Sequence, residues 1–431
     1  MSVAPPTPAR PKITQRLALR TLILILILGG CYFGFTWWKD KSQDLSGVVP
    51  AHTAGWLAAV QFQDQGQQAV AFSADGKMTP SSGWKPGNTD RDITWNPSGN
   101  RVFFVSDREE NNFHVFRWNP TDGSDPVRRT IGSRSRSLPM FPRQASEDAD
   151  GSALITSGGL ILEYRPKDLS MVQVLPPIGR EIVESNDESG GGAEDQFSGA
   201  YEKFGNAFKV ARWCKGKNWI AAIMVRDEGE VLIVQNMQPT ADGKQSRPEP
   251  VAAGDHVSFD VNPQDGSIVF SVQNFQWPNE DAIPPQFHKG NVITRPFANF
   301  VGRIDPDDKS AMTPIAASAD DKICFGPPSI SPDGASIVLV QGKYENAALT
   351  PLALVSMPIT QGGERSEAVL AKGQIFEPNW SADGQLIAFA QRQPSGKRAI
   401  CTIHNDGTGQ LNLTGESGNF GTPVFSPQAK S

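Results

Sequence analysis

Two patterns of hydrophobic and polar positions divide this chain of 431 residues. One is a single unbroken apolar run from Thr21 to Trp38, TLILILILGGCYFGFTWW. The other begins near Gly55 and recurs to the end: a short apolar strand, a polar turn of Ser or Asn, Pro or Ala, Asp and Gly, then a second apolar or alternating strand. This repeat predicts β-hairpins. Pro presets the turn dihedral, Asp or Asn bonds back to the backbone, and Gly accepts a positive φ.

The clearest copies are Ile93 to Gly99 before Arg101 to Ser106, and Ser258 to Gly266 before Ser267 to Val272. Two more run from Ser329 to Gly334 before Ala335 to Val340, and from Pro378 to Gly384 before Gln385 to Ala390. Weaker copies turn at Asp148 to Gly151, leading into Ser152 to Ile155, and at Lys215 to Asn218, leading into Trp219 to Val225. The turn glycines Gly99, Gly151, Gly216, Gly266, Gly334 and Gly384 are 50 to 68 residues apart, which fits one four-stranded propeller blade with variable loops. The best-formed unit, Phe376 to Thr414, contains strand, Ser-Ala-Asp-Gly turn, LIAFAQ, a hairpin at Pro394 to Gly396, RAICTIH, Asn405 to Gly407, and Leu411 to Thr414.

The final stretch, Thr422 to Pro427, supplies only the first strand of a further unit. Gly55 to Phe62 and Gln68 to Phe72 are strand-like and would complete it, with the Ser73 to Gly76 turn inside the same blade. Such a composite blade removes an open sheet edge. The expected fold is all-β: residues 55–431 form a single β-propeller of four-stranded blades closed by strands from both ends, after one N-terminal transmembrane helix. Seven blades fit best, with six and eight as alternatives.

The apolar run decides where that propeller works. Its core, Thr21, Leu22, Ile23, Leu24, Ile25, Leu26, Ile27 and Leu28, continues to Trp37 and Trp38, which suit an interfacial aromatic belt. Eighteen helical residues rise about 27 Å, within the range for a single span. The leader, residues 1–20, carries Arg10, Lys12, Arg16 and Arg20 and no acidic residue, so the N-terminus is expected in the cytoplasm of a bacterium and the rest in the periplasm or outside. Residues 39–54 form a linker. A competing reading takes Leu28-Gly29-Gly30-Cys31 as a lipoprotein signal with Cys31 acylated, and a third takes an ordinary cleaved signal peptide. The apolar continuation to Trp38 favours the uncleaved anchor.

Charge adds little. Of 40 Lys and Arg, four lie in the leader, so the exported part sets 36 against 46 acidic residues and no nucleic-acid footprint follows. Cys214, Cys324 and Cys401 sit in apolar or strand-like contexts that suit small core residues, and a disulfide among them stays open.

The pattern P-x-W/F-S-P/A-D-G-x-x-I-A-F, followed by an Asp-Gly turn and a terminal L-x-L-T, resembles the TolB-type propeller repeat of bacterial envelope proteins. Pro378 to Phe389 with Leu411 to Thr414 carry it best, Pro328 to Val340 next, and Gly421 to Pro427 as a fragment. The resemblance implies architecture rather than a partner. TolB itself is soluble and carries an added N-terminal α/β domain, whereas here a short linker joins the anchor to the propeller.

Candidate chemistry is sparse. Propellers of this type also precede serine-peptidase domains, but no G-x-S-x-G elbow occurs; Gly415-Glu-Ser-Gly-Asn419 lacks the final glycine. His52, His114, His256, His288 and His404 have no metal-ligand spacing. The acidic loops Glu184 to Asp195 and Asp305 to Asp308 contain oxygen donors without the ordered EF-hand pattern, so calcium binding stays open. No catalytic, cofactor or metal residue is assigned, and the sequence reads as a non-enzyme. Two stretches are candidates for partner contact: Arg128, Arg129, Arg134, Arg136 and Arg143, a run without acids, and an insertion from Phe275 to Lys309 with Phe275, Trp277, Phe287, Phe297 and Phe300. Trp95, Trp213 and Trp380 take repeat-strand positions and read as core.

The function expected is an interaction or scaffold protein anchored in the inner membrane, an accessory subunit of a larger respiratory, photosynthetic or secretory complex. Its partners would be proteins in or beside that bilayer. The alternative is a propeller enzyme or carbohydrate-binding protein with its site at the central channel mouth.

Overall fold

A computed structural model describes residues 55–427 apart from 74–75, 110–111, 131–134, 144–150, 177–206, 228, 240, 242, 244–245, 277–287, 290–291, 294–298, 319–322, 346–347, 360–366 and 417. The apolar run and its leader lie outside the described residues. Among the described residues there is no helix, and so none long and apolar enough to cross a membrane.

Every paired strand in the sheets is antiparallel to its neighbour. β1 (Leu57–Gln63), β2 (Gly66–Phe72) and β3 (Met78–Pro80) are followed by β4 (Asp90–Trp95), β5 (Val102–Ser106), β6 (His114–Trp118) and β7 (Val127–Arg128). β8 (Ala153–Ser157), β9 (Leu160–Arg165) and β10 (Ser170–Leu175) make a three-stranded sheet, to which Met140 adds an isolated antiparallel bridge at Leu154. β11 (Ala207–Cys214), β12 (Trp219–Arg226), β13 (Gly229–Asn236), β14 (Glu249–Val261) and β15 (Ile268–Gln276) come next. A separate small hairpin, β16 (His288–Lys289) and β17 (Val292–Ile293), precedes β18 (Asn299–Asp305) and β19 (Asp308–Ser318).

The last third holds β20 (Cys324–Phe325), β21 (Ser329–Ile330), β22 (Ser336–Glu345), β23 (Ala348–Pro358) and β24 (Ala368–Lys372), then β25 (Ile375–Trp380), β26 (Leu386–Arg392), β27 (Arg398–His404) and β28 (Leu411–Asn412). The final strand, β29 (Phe420–Phe425), pairs with β1 rather than with its sequence neighbours, so one sheet has the order β29-β1-β2-β3.

β14 is the middle strand of a seven-stranded sheet, β11-β12-β13-β14-β15-β18-β19. Its first half pairs with β13 and its second with β15, with register shifts between Ala253 and Ser258. Gly254 sits at that crossing with φ 154°, where an added Cβ would stand 2.4 Å from the carbonyl oxygen of Gln273. Only a residue without a side chain fits there. The expected insertion from Phe275 to Lys309 needs correction here. β18 falls inside it and pairs with β15, so its apolar residues complete a sheet.

The sheets pack face to face in sequence. Ile93, Trp95, Phe104 and Phe116 pack against Ala58, Val60, Ala69 and Ala71, and Phe103 and Val115 against Phe141, Ala153 and Ile155. At the far end Phe389, Cys401 and Trp380 meet Val338, Val340 and Leu354, while Ala388, Ala390 and Ile400 meet Leu57, Val70, Phe420 and Phe425. The last sheet thus returns to the first, and a ring results.

The first strand of each unit has an outer edge paired to its own sheet and an inner edge with unpaired backbone groups. Buried backbone groups without partners are costly, and the neighbouring unit supplies the partners. The indole N–H of Trp95 donates to the Val424 carbonyl at 3.0 Å, and that of Trp380 to the Ser329 carbonyl at 3.0 Å. In the other direction, Asn379 Oδ1 accepts from the Phe425 N–H at 3.0 Å, and Asp260 Oδ2 from the Ile330 N–H at 3.1 Å. Trp95 and Trp380 are therefore core residues with a second task as stitches between units, while Trp213 is buried in the core without such a bond among the described residues.

All six turn glycines named above have positive φ, from 36° at Gly151 to 72° at Gly266. In the Ser-x-Asp-Gly turns the serine hydroxyl donates to the aspartate and accepts from the returning strand: Ser336 N–H to Ser331 Oγ at 3.0 Å, Leu386 N–H to Ser381 Oγ at 2.9 Å. The turns also touch one another. Asn262 Nδ2 donates to the Gly334 carbonyl at 3.1 Å, and Ser426 Oγ to the Gly99 carbonyl at 3.1 Å.

Candidate functional site in the ring interior

Two residues before the turn, Asn379 and Asp260 each carry a side chain that reaches the next unit. Asn379 shows the neutral version. In three consecutive units the position and its surroundings are charged instead. β11 carries Arg212, β14 carries Asp260, and the segment that bridges to β8 carries Phe141 and Arg143.

These groups converge. Arg143 Nη2 lies 2.8 Å from Asp260 Oδ2 and donates to the Ile330 carbonyl at 3.1 Å, reaching across 187 positions of sequence. Arg212 Nη1 donates to the Phe141 carbonyl at 2.9 Å, and its Nε stands 3.9 Å from Asp260 Oδ1. Asp260 also accepts from the backbone of Val261 at 2.9 Å and of Ile330 at 3.1 Å. Its side chain is 9% exposed, that of Arg212 16% and that of Arg143 32%, so the cluster opens to solvent on the Arg143 side. Desolvation pushes the Arg212 guanidinium down; Asp260 opposes the shift and Arg143 adds to it. Two guanidinium groups thus share one carboxylate, and the Nε atoms of Arg143 and Arg212 are buried with no hydrogen-bond partner among the described residues.

At the other half of the inner strands the backbone is strained. Asp92, His256, Glu377 and Thr422 take positive φ of 47° to 54°, and three of them lie at register shifts of β4, β14 and β25. Non-glycine residues adopt this region at a cost and only where the surroundings fix it. Glu377 Oε2 accepts from the Thr422 N–H, which ties one such position to the next. Asp92 is exposed, yet removal from bulk water pushes its carboxyl up, opposed by Arg91 at 3.8 Å.

The candidate contact residues are scattered by the fold. Arg128 donates from Nε to the Thr130 carbonyl at 2.7 Å and lies 3.4 Å from Glu109. Arg129 donates to the Pro166 carbonyl at 2.6 Å and so joins adjacent units. Arg136 is 9% exposed and bonds Ser157, so it is not displayed on a surface, whereas Arg143 is part-exposed and pairs with Asp260. Phe275 and Phe300 are buried, with ring centroids 5.1 Å apart, because β15 and β18 hold them in the core. Arg134, Trp277, Phe287, Phe297, Cys31 and the anchor residues Thr21 to Leu28, Trp37 and Trp38 lie outside the described residues.

The Asp305 to Asp308 acidic loop joins β18 to β19, and there Asp305 and Asp307 each hold Lys215 Nζ at 2.6 Å. Among the described residues no three His, Cys, Asp or Glu are grouped to hold a metal. Cys214, Cys324 and Cys401 are buried free thiols; burial pushes them up to about 12, 11 and 11. They are poor nucleophiles in that state.

No protein-family profile matches the chain, and no curated protein sequence does. Solved structures do. TolB from Acinetobacter baumannii is 14% identical over 88% of this chain and 68% of that one, with a TM-score of 0.47. An oligogalacturonate lyase in complex with manganese is 10% identical over 83% and 85%, TM-score 0.48, and a puromycin-hydrolyzing peptidase of Mycobacterium tuberculosis is 11% identical over 86% and 54%, TM-score 0.48.

The ring of antiparallel sheets is a β-propeller, and TolB is among the solved structures it is similar to. The comparison also corrects one expectation from sequence, that the chain is not an enzyme. Two of these similar structures are enzymes. Missing a serine elbow or a histidine cluster does not exclude catalysis on this scaffold, because function resides in sites rather than in folds. The sequence reading passed over Arg212 and Asp260. Their only signal was a charge two residues before a turn, in strands otherwise built from apolar and aromatic residues.

Proposed function

We propose that this protein is a membrane-anchored, extracytoplasmic seven-bladed propeller that serves as an interaction platform beside a membrane complex. The blade count rests on seven buried clusters among the described residues, each between consecutive blades once the seven-stranded sheet is divided into two at β14. The observation that carries the functional reading is the pairing of β29 with β1. It makes a single closed body whose first strand starts at Leu57, with 18 residues between it and Trp38. At roughly 3.5 Å per residue that linker reaches at most about 60 Å, so a ring tethered through it stays near the bilayer that holds the apolar run.

A body held there meets partners in or beside the same membrane at high effective concentration. The test is fractionation of the native cells. The full chain should stay in the membrane pellet through alkaline carbonate extraction, and the propeller should become protease-accessible only once the periplasm is opened. Release into the soluble fraction, or cleavage only from the cytoplasmic side, would overturn the proposal.

A further inference from the structure

The Arg143–Asp260–Arg212 cluster does more than the ring requires. At the equivalent position of another unit, Asn379 meets the backbone N–H of Phe425 without any charge. Asp260 performs the same bond to Ile330, so its negative charge, and both arginines around it, are surplus to the stitching. A buried ion pair contributes little stability by itself. Here the balance is uneven as well: two guanidinium groups face one carboxylate, in a place where desolvation and the nearby Arg143 both disfavour a second positive charge on Arg212.

Each guanidinium also keeps a buried Nε–H without a hydrogen-bond partner among the described residues. Water satisfies a lone donor but not an uncompensated charge. An anion satisfies both. Arginine presents parallel N–H groups that match the two oxygens of a carboxylate or phosphate, and the partial exposure of Arg143 leaves an approach from solvent.

We propose that Arg143 and Arg212 form a binding site for a small oxyanion, carboxylate or phosphate, in the interior of the ring, with Asp260 as a built-in competitor for the same guanidinium groups. Asp260 lies between the two guanidinium groups, 2.8 Å from Arg143 and 3.9 Å from Arg212. An incoming anion takes the unused Nε–H donors and supplies the missing negative charge. The inference is independent of the anchor and of any protein partner.

The competitor role gives the test its direction. Full-length protein in detergent is titrated calorimetrically with acetate, succinate and inorganic phosphate, with chloride as the background salt. Saturable binding of at least one oxyanion is expected, and which probe binds separates a carboxylate site from a phosphate site. Arg143→Gln should weaken it by about tenfold or more, the equivalent of one charge-assisted hydrogen bond. Asp260→Asn keeps an acceptor for the Ile330 N–H, as Asn379 does for Phe425, and removes the competitor, so it should tighten binding by about tenfold. Because this variant gains affinity, its result does not depend on tolerating a lost side chain. No saturable binding of any probe to the wild-type chain, or affinities unchanged in both variants, would overturn the proposal.

Discussion

Removing Arg108 should damage the ring at the seam between its first sheet and the next. Asp90, at the start of β4, is fully buried, and Arg108 is 6% exposed; Arg108 Nη2 meets Asp90 Oδ2 at 2.5 Å and its Nε meets Oδ1 at 3.3 Å. The same carboxylate accepts from the Ala69 N–H of β2 at 2.9 Å and from Ser81 Oγ at 3.2 Å, while Arg108 Nη1 reaches the Ser82 carbonyl at 2.7 Å. Arg108→Met retains most of the apolar stem, which lies near the rings of Phe104 and Phe116, but leaves a buried carboxylate without its counter-ion. Breaking a buried pair in this way costs about 3–5 kcal/mol. The two remaining donors to Asp90 argue for the lower end, about 3 kcal/mol. Asp90→Asn in the same background removes the stranded charge and keeps an acceptor for Ala69, so the double variant should recover about 1–2 kcal/mol, a favourable coupling within the range for residues in contact. Urea unfolding of the full chain, followed by tryptophan fluorescence, measures all three. A loss below about 1 kcal/mol for Arg108→Met, or strictly additive effects in the double variant, would show that this pair does not hold the seam.

Two further outcomes follow from local geometry. Gly334 and Gly384 have nearly the same φ, 71° and 69°, but a Cβ at Gly334 would lie 2.3 Å from Asn262 Oδ1, whereas at Gly384 the nearest atom is Pro332 Cδ at 3.6 Å. Gly384→Ala should therefore cost only the left-handed penalty of about 1–2 kcal/mol, and Gly334→Ala clearly more; equal losses in denaturant unfolding would contradict this. Acid should weaken the fold. Burial raises the Glu163 carboxyl, but Ser152 and Lys217 outweigh it and leave it lowered; Asp265 is lowered despite burial by Ser267 and Arg303. Such groups bind fewer protons folded than unfolded, so their contribution is complete above the ordinary carboxylate range, about pH 4–5, and is lost as pH falls through it. Glu163→Gln should flatten that acid limb, and stability that rises between about pH 5 and 3.5 would refute the assignment.

What the sequence disclosed depended on the range of the interactions. Turns were legible because a hairpin needs its Asp and Gly within a few residues, and Gly99, Gly266, Gly334 and Gly384 all take the positive φ their turns demand. Buried tryptophans at Trp95, Trp213 and Trp380 could be read from their repeat position, though not the hydrogen bonds that Trp95 and Trp380 make to the neighbouring unit. β14 was harder. Its second half was visible before the Asn262 turn, while the first half, Glu249 to Gly254, has no turn to mark it as the outer strand of the preceding unit. Phe275 and Phe300 were misleading because β18 returns to β15 only after a long connection, and aromatic residues at such strand ends resemble a docking loop. The interior cluster was invisible for a different reason. Arg143 and Asp260 are 117 residues apart, and only the packing of consecutive units brings them within 2.8 Å.

The most direct test of the account is purification of the full-length chain from its native membranes in mild detergent, after crosslinking, with mass spectrometry of what accompanies it. An anchored propeller acting as a platform predicts one reproducible set of membrane-associated partners, crosslinked to described surface residues of the ring. A monomer recovered repeatedly with no consistent partner would contradict that claim.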